Sequence, residues 1–406
     1  MQRRPMLDQA EYERSPWHVL LVFLRLGLTS FGGPAAHLAY FRDEFVARRR
    51  WLSEHGYADL VALCQFLPGP ASSQVGIAIG LGRAGYAGAL AAWAGFTLPS
   101  ALAMTLCALG MVRYGALAPA GALHGLKVVA VAVVAQAVWG MGRHFCRTPA
   151  RVVIAALAAG ATLLAPFVWM QVGAMAAAAI VGLLLFKPEP GGAYELQPAS
   201  HGRRAGAVWL ALLLVLLLAL PLFAQLLPGP TAQMAAAFFR VGALVFGGGH
   251  VVLPLLQAEV VPNGWVGNDV FLAGYGAAQA MPGPLFSFAA FLGAAMRTAP
   301  SGWLGALVCL LAIFAPSFLL VAGVLPFWDA LRRSARTRAA LAGVNAAVVG
   351  LLLAALYHPV WTSAIYRPLD VLLALLALAA LMVWKLPPWL VVMGGGAAGV
   401  LLSMLT

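Results

Sequence analysis

The chain has 406 residues, 62% of them hydrophobic and 9% charged, with a mean hydropathy of +0.89 and a net charge of +12. A soluble fold of this length cannot hide that much apolar surface, so the composition excludes water-soluble classes and specifies a polytopic membrane protein. The positive charge is almost all arginine in short loops, which reads as topology signal and attraction to anionic headgroups of the bilayer. No basic stretch sits on a polar folded domain, so nucleic acid is not an expected partner.

A mixed-charge leader, 1–16, precedes the first apolar run, which continues into Arg25 without a small-residue cleavage site; no cleavable signal peptide is expected. Thirteen apolar segments follow, at about 17–41, 56–80, 87–110, 121–141, 152–165, 168–186, 206–227, 232–256, 270–295, 303–326, 339–357, 369–384 and 386–405. The most polar connector, 187–205, is rich in Pro, Gly and Glu. It separates a first membrane repeat (17–186) from a connecting helix (206–227) and a second repeat (228–406). Cys64, Cys107, Cys146 and Cys309 are scattered without ligand spacing and read as unpaired thiols. Neither a metal nor another cofactor is expected.

The first segment carries Arg25-Leu26-Gly27, then Phe31-Gly32-Gly33-Pro34; the second half carries Arg240-Val241-Gly242, then Phe246-Gly247-Gly248-Gly249. Trp51 matches Trp265, Gln65 through Pro68-Gly69-Pro70 matches Gln279 through Pro282-Gly283-Pro284, and Ser73 falls on Ser287. Gly85 and Gly88 match Gly302 and Gly305, Pro99-Ser100 matches Pro316-Ser317, and Lys127 falls opposite Asn345. Several motifs in one order at nearly constant offset mark an internal repeat.

Loop charge orients the copies. Arg42, Arg48, Arg49 and Arg50 face a counterpart without Lys or Arg, whereas the sparse loop at Arg113 faces Arg332, Arg333, Arg336 and Arg338. Arg143, Arg147 and Arg151 face only Arg367. By the positive-inside rule the repeats have inverted topology, with the N-terminus cytoplasmic and the C-terminus periplasmic. With 42–50 and 143–151 both inside, 56–80 cannot cross. It enters and returns, as does 17–41, and 232–256 and 270–295 do the same from the other face. The expected fold is all-α, with about nine full spans and four re-entrant hairpins whose broken tips meet near the midplane. Thirteen full spans are the alternative.

Arg25 and Arg240 are cations inside apolar segments, at a cost of about 2.5–3.5 kcal/mol each on insertion scales. Asp43, Glu44, Glu54, Asp59, Glu259, Asp269, Asp329 and Asp370 all sit at or near segment ends. Embedded cations without embedded carboxylates are expected to face an anion; snorkelling or a buried partner is the bland reading. The Phe-Gly-Gly and Pro-Gly-Pro breaks expose free N–H groups at the next helix start, an anion-binding arrangement. Gly85, Gly88, Gly302 and Gly305 read instead as close-packing glycines. Ser72, Ser73 and Ser287 either complete an oxyanion cradle or cap helices. Lys127 either snorkels or joins the site. His37 and His250 are candidates for proton coupling or interfacial histidines, with Gln65, Gln279 and Glu44 as polar lining.

Phe31-Gly32-Gly33-Pro34 with His37, the run Phe41-Arg42-Asp43-Glu44-Phe45-Val46, Trp51 and Gln65 through Pro70 resemble the chromate ion transporter family, in its long two-domain form. Phe246-Gly247-Gly248-Gly249, Trp265 and Gln279 through Pro284 carry the same resemblance. It implies a secondary transporter, not an enzyme, that exports chromate across the cytoplasmic membrane and confers chromate resistance. Proton motive force is the implied energy source, and sulfate the implied competitor. The family's important positions map onto Arg25, Gly32, Gly33, Pro68, Gly69 and Pro70, with Arg240, Gly247, Gly248, Pro282, Gly283 and Pro284. A sulfate transporter or anion channel is the alternative; a membrane-embedded enzyme on anionic lipid is remote, for want of a nucleophile or paired carboxylates. A homodimer is compatible with all of these.

Overall fold

A computed structural model of the chain describes residues 15–114, 120–165, 168–186, 202–226, 229–246 and 251–405. Among the described residues the chain is helical, without strands. In the first half α1 is Pro16–Thr29, α2 Gly33–Arg42, α3 Glu54–Phe66, α4 Ala71–Tyr114, α5 Ala120–Phe145, α6 Pro149–Leu164 and α7 Val168–Leu185. After α8 (Arg203–Leu226) come α9 Pro230–Leu244, α10 Val252–Val260, α11 Asn268–Ala280, α12 Phe288–Ala295 and α13 Gly302–Val324. The chain closes with α14 Trp328–Arg333, α15 Ala335–Ala355, α16 Pro368–Met382 and α17 Pro388–Leu405. This is an all-α polytopic membrane protein, with helices 71–114, 121–145, 203–226, 302–327 and 335–361 long and apolar enough to cross a bilayer.

Each of the four segments expected to be broken is two helices. α1 stops at Ser30, whose backbone is extended, and α2 restarts from Gly32 at φ 101°. Thr29 Oγ1 donates to the Arg25 carbonyl (2.8 Å), loosening the last turn. The pair then folds back on itself. Phe23 packs on Phe41 and Phe45 at ring separations of 5.6 and 5.0 Å, and Arg49 reaches His18 at 2.9 Å. α3 and the start of α4 likewise return: the Arg83 guanidinium lies 4.5 Å from the ring of Trp51, the residue that leads into α3. In the second half the Arg297 N–H donates to the Trp265 carbonyl (2.9 Å), closing α11 and α12 at their base. Arg240 meets Glu259 across α9 and α10. The hairpin geometry follows from helix breakers placed midway through segments whose flanking arms are both apolar.

Gly85 differs from its expected packing role. It takes φ 61° between two helical stretches of α4, with nothing within 4 Å of where a Cβ would stand. Gly302, its match, also has φ 61°. Both are turn residues. Gly88 and Gly305 do pack: a Cβ on Gly88 would lie 2.3 Å from the Gly80 carbonyl, and one on Gly305 2.2 Å from that of Gly293. The matched Trp51 and Trp265 are buried at the hairpin bases.

The halves interlock. α5 of the first packs against α16 and α17 of the second, while α15 of the second packs against α6 and α7 of the first. Glycine makes the approach possible: a Cβ on Gly125 would stand 2.1 Å from the Gly395 carbonyl, and one on Gly343 1.9 Å from that of Ala178.

Candidate functional site

The broken tips meet, and they do so reciprocally. The Gly69 N–H of the first Pro-Gly-Pro turn donates to the Val245 carbonyl (2.6 Å), at the end of α9. The Gly283 N–H of the second turn donates to the Ser30 carbonyl (2.9 Å), at the end of α1. Val245 and Ser30 hold the same place in their copies, one residue before Phe246 and Phe31. Each Pro-Gly-Pro turn of one half is therefore clasped to the interrupted helix of the other.

The next layer repeats the exchange. Gly69 (φ 118°) faces Ser317 of the second half, and Gly283 (φ 96°) faces Ser100 of the first; a Cβ would stand 3.0 and 2.9 Å from the two hydroxyls. Gly27 and Gly242 let the interrupted helices ride on backbone near Pro99 and Pro316: a Cβ would lie 2.6 Å from the Gly95 carbonyl and 2.1 Å from that of Ile313. Helix starts converge here: α2 begins at Gly33 and α4 at Ala71, each with first-turn N–H groups free of intrahelical partners.

The surroundings of the clasps are polar. Ser30 Oγ, Ser73 Oγ, Thr97 Oγ1, Ser317 Oγ and Gln279 Nε2 are buried, with no hydrogen-bond partner among the described residues. All are able to donate. Leaving such groups unmet costs roughly 1–3 kcal/mol apiece; Ser30 stands at one clasp, Ser317 against Gly69 of the other, and Gln279 in the wall of a cavity between them. Gly32, Gly33, Gln279 and Gly283 line a cavity of about 50 Å3, closed on the far side by Gln136 of α5. That is space for roughly three or four waters.

Several expected site residues lie elsewhere. Arg240 is not free to face an anion: its Nε donates to Glu259 Oε1 at 2.7 Å, and Nη2 bonds the same oxygen. Glu259 lies at the end of α10 as expected but is 5% exposed and reaches Arg240, so the expectation that the embedded cations have no buried carboxylate partner fails here. Glu44 holds the equivalent position in the first half but is bonded by Arg49 (2.6 Å) and Arg48 (3.1 Å) at the hairpin base, not in the cavity. Arg25 is thereby left without an ion pair among the described residues, on the exposed stripe of α1 with Trp17, Leu21 and Leu28. Lys127 is buried and bonded to Asp269 at 2.9 Å.

His37 is not an interfacial histidine. It is buried, 3.3 Å from Ser72 Oγ and edge-on to Phe96, one layer behind the breaks. Gln65 is exposed, unlike its match Gln279. Pro68 accepts from Gln74 Nε2 (2.6 Å), which steadies its turn; Pro70 caps α4, and Pro282 and Pro284 flank Gly283 in the second turn. Ser287 is buried just beyond. Gly247, Gly248 and His250 lie outside the described residues. Ser100 and Ser317 were visible as a matched Pro-Ser pair but were not assigned to the site; Gln136 carries no sequence signal.

The sequence model of the family described as "Chromate transporter" matches residues 17–183 and again 232–400. A chromate transport protein of Pseudomonas aeruginosa is 30% identical over 351 residues, covering 81% of this chain and 77% of that protein. One of Cupriavidus metallidurans is 26% identical over 390 residues, with 90% and 88% covered. A probable chromate transport protein of Synechococcus elongatus is 27% identical over 335 residues, covering 81% of each. No solved structure matches the chain.

Proposed function

Because the chain belongs to the chromate transporter family, we propose that it carries chromate out of the cytoplasm as a secondary transporter of divalent tetrahedral oxyanions, in the cytoplasmic membrane. The reading rests on the reciprocal clasp of the four breaks, Gly69 to Val245 and Gly283 to Ser30, with unmet donors gathered around it. An oxyanion is an acceptor on every side. It takes hydrogen bonds from Ser30, Ser73, Ser317 and Gln279 and from the free N–H groups at the starts of α2 and α4.

The two halves act as inverted repeats, entering from opposite faces, with 187–205 as a cytoplasmic linker. Arg49, Arg83, Arg151 and Arg338 then share the cytoplasmic face, and Arg113, Arg297 and Arg367 the other. Outward movement of a −2 ion across an inside-negative 100 mV potential releases about 4.6 kcal/mol. Export therefore proceeds on voltage alone, and proton coupling through His37 is a further mode rather than a requirement. Arg240 braces its hairpin through Glu259, while Arg25 is the member of the pair available to an anion.

Purified protein in liposomes tests this. Saturable chromate flux that follows an imposed voltage is expected, with sulfate competing. Gly69→Ala and Gly283→Ala, which force a Cβ at φ 118° and 96° into the clasp, abolish flux while the protein remains folded. Full flux in both variants overturns the break-centred site.

A further inference from the structure

A second cavity, of about 350 Å3, lies on the face that carries the bases of the first two hairpins, away from the breaks. His144, Arg147, Arg151, Arg338 and Asn345 line it, with Phe186 at its wall and no carboxylate among the described lining residues. The Arg151 guanidinium rests 5.1 Å from the Phe186 ring, and its Nε is buried without a hydrogen-bond partner among the described residues. Two helix N-termini open onto it. Arg151 sits in the first turn of α6 and Arg338 in the first turn of α15, so both dipoles present positive ends.

Repeat symmetry makes this charge informative. Pro149-Ala150-Arg151 at the start of α6 corresponds to Pro368-Leu369-Asp370 at the start of α16. The position is cationic in one copy and anionic in the other. Asp370 is consumed locally, bonded to His124 at 2.7 Å and to the backbone N–H groups of Tyr366 and Arg367. The cavity on that opposite face, about 320 Å3, is lined by Gln257, Asn268, His358 and Ser363, with no Lys or Arg among the described lining residues. The two cavities thus differ in the cations that line them.

We propose that the Arg147, Arg151 and Arg338 cavity is a capture site for a divalent tetrahedral oxyanion on the basic face, loaded before the ion reaches the breaks. The proposal rests on the transport reading above and adds a second anion site to it. Arg147 and Arg151 at one cavity, with no carboxylate among its described lining residues, bind a dianion better than a monoanion. The opposite mouth, with no Lys or Arg among its described lining residues, holds it more weakly, so the pair of mouths favours one direction of loading. A lipid phosphate headgroup offers the same chemistry, and the experiment separates the two.

Full-length protein is examined in lipid-free detergent by equilibrium dialysis against radiolabelled sulfate, and in inside-out vesicles for chromate uptake. Removing one charge-assisted contact is expected to weaken binding and raise half-saturation about tenfold in Arg151→Gln and in Arg147→Gln. Arg151→Lys recovers part of both. Asp370→Asn, on the opposite face, moves neither. If wild-type protein binds sulfate with Arg151-dependent affinity but moves no chromate, the transport reading fails and the capture site stands. If Arg151→Gln binds and transports as wild type, the capture site is overturned. If the variant differs from wild type only in vesicles containing phosphatidylglycerol, and not in detergent or pure phosphatidylcholine, the cavity holds a lipid headgroup and the proposal is again overturned.

Discussion

At the residue scale, the two embedded arginines have parted company. The motif is the same, but Arg240 has Glu259 to itself, whereas Glu44 at the equivalent position is taken by Arg48 and Arg49. A buried pair broken on one side leaves an uncompensated charge, which costs about 3–5 kcal/mol. Arg240→Ala and Glu259→Ala are therefore each expected to lower thermal stability in detergent strongly. An Arg240→Met, Glu259→Leu double variant recovers most of it. Arg25→Ala, on an exposed stripe, should stay within about 0.5 kcal/mol of wild type. Its flux should nevertheless fall, because no carboxylate among the described residues neutralises this arginine. A strong destabilisation by Arg25→Ala, or undiminished flux, removes Arg25 from the site. Both embedded cations were legible from the sequence. Which one is spent on a brace was not, because an ion pair depends on where a neighbouring hairpin places its last turn.

At the element scale, the four broken segments were legible because their breakers are strong and local. Gly at positive φ and clustered Pro without an N–H favour a break locally. That the arms fold back rather than run on came from charge parity, and Arg49 against His18, Arg83 against Trp51 and Arg297 against Trp265 give the fold-back its contacts. The full-span alternative places the 42–50 loop on the face opposite 143–151. Single cysteines at Ala47, Ala150 and Asn263 in a background without native cysteine distinguish these. Ala47→Cys and Ala150→Cys should react with impermeant thiol reagents from one side of the membrane, and Asn263→Cys from the other. Labelling of Ala47→Cys from the Asn263 side restores thirteen spans. Gly85 shows the limit of spacing arguments: it was read as a packing glycine, yet its neighbourhood is empty and its φ of 61° makes it a turn.

At the scale of the whole molecule, the halves are exchanged rather than stacked. The short α6 and α16, 16 and 15 residues, span only about 22–24 Å, less than a bilayer core of about 30 Å. They depend on α15 and α5 of the other half for their buried faces. Cleavage at a protease site engineered into 187–201 should therefore leave two fragments that co-purify and still transport. Fragments that separate in mild detergent contradict the interlock. α8, largely exposed and long and apolar enough to cross a bilayer, connects the two halves.

The sequence by itself determined that this is a membrane protein, that it is built twice and where each copy breaks. Those properties depend on composition, on local backbone chemistry and on counting, all of which survive without coordinates. Tertiary structure decided what the breaks do to one another. The clasp of Gly69 on Val245 and of Gly283 on Ser30 joins residues more than 170 positions apart. It also gathered the serines left without partners, paired Arg240 with Glu259, and brought Arg151 and Arg338 around one cavity. Partnership of buried polar groups is a property of packing between copies, and no spacing within either copy encodes it.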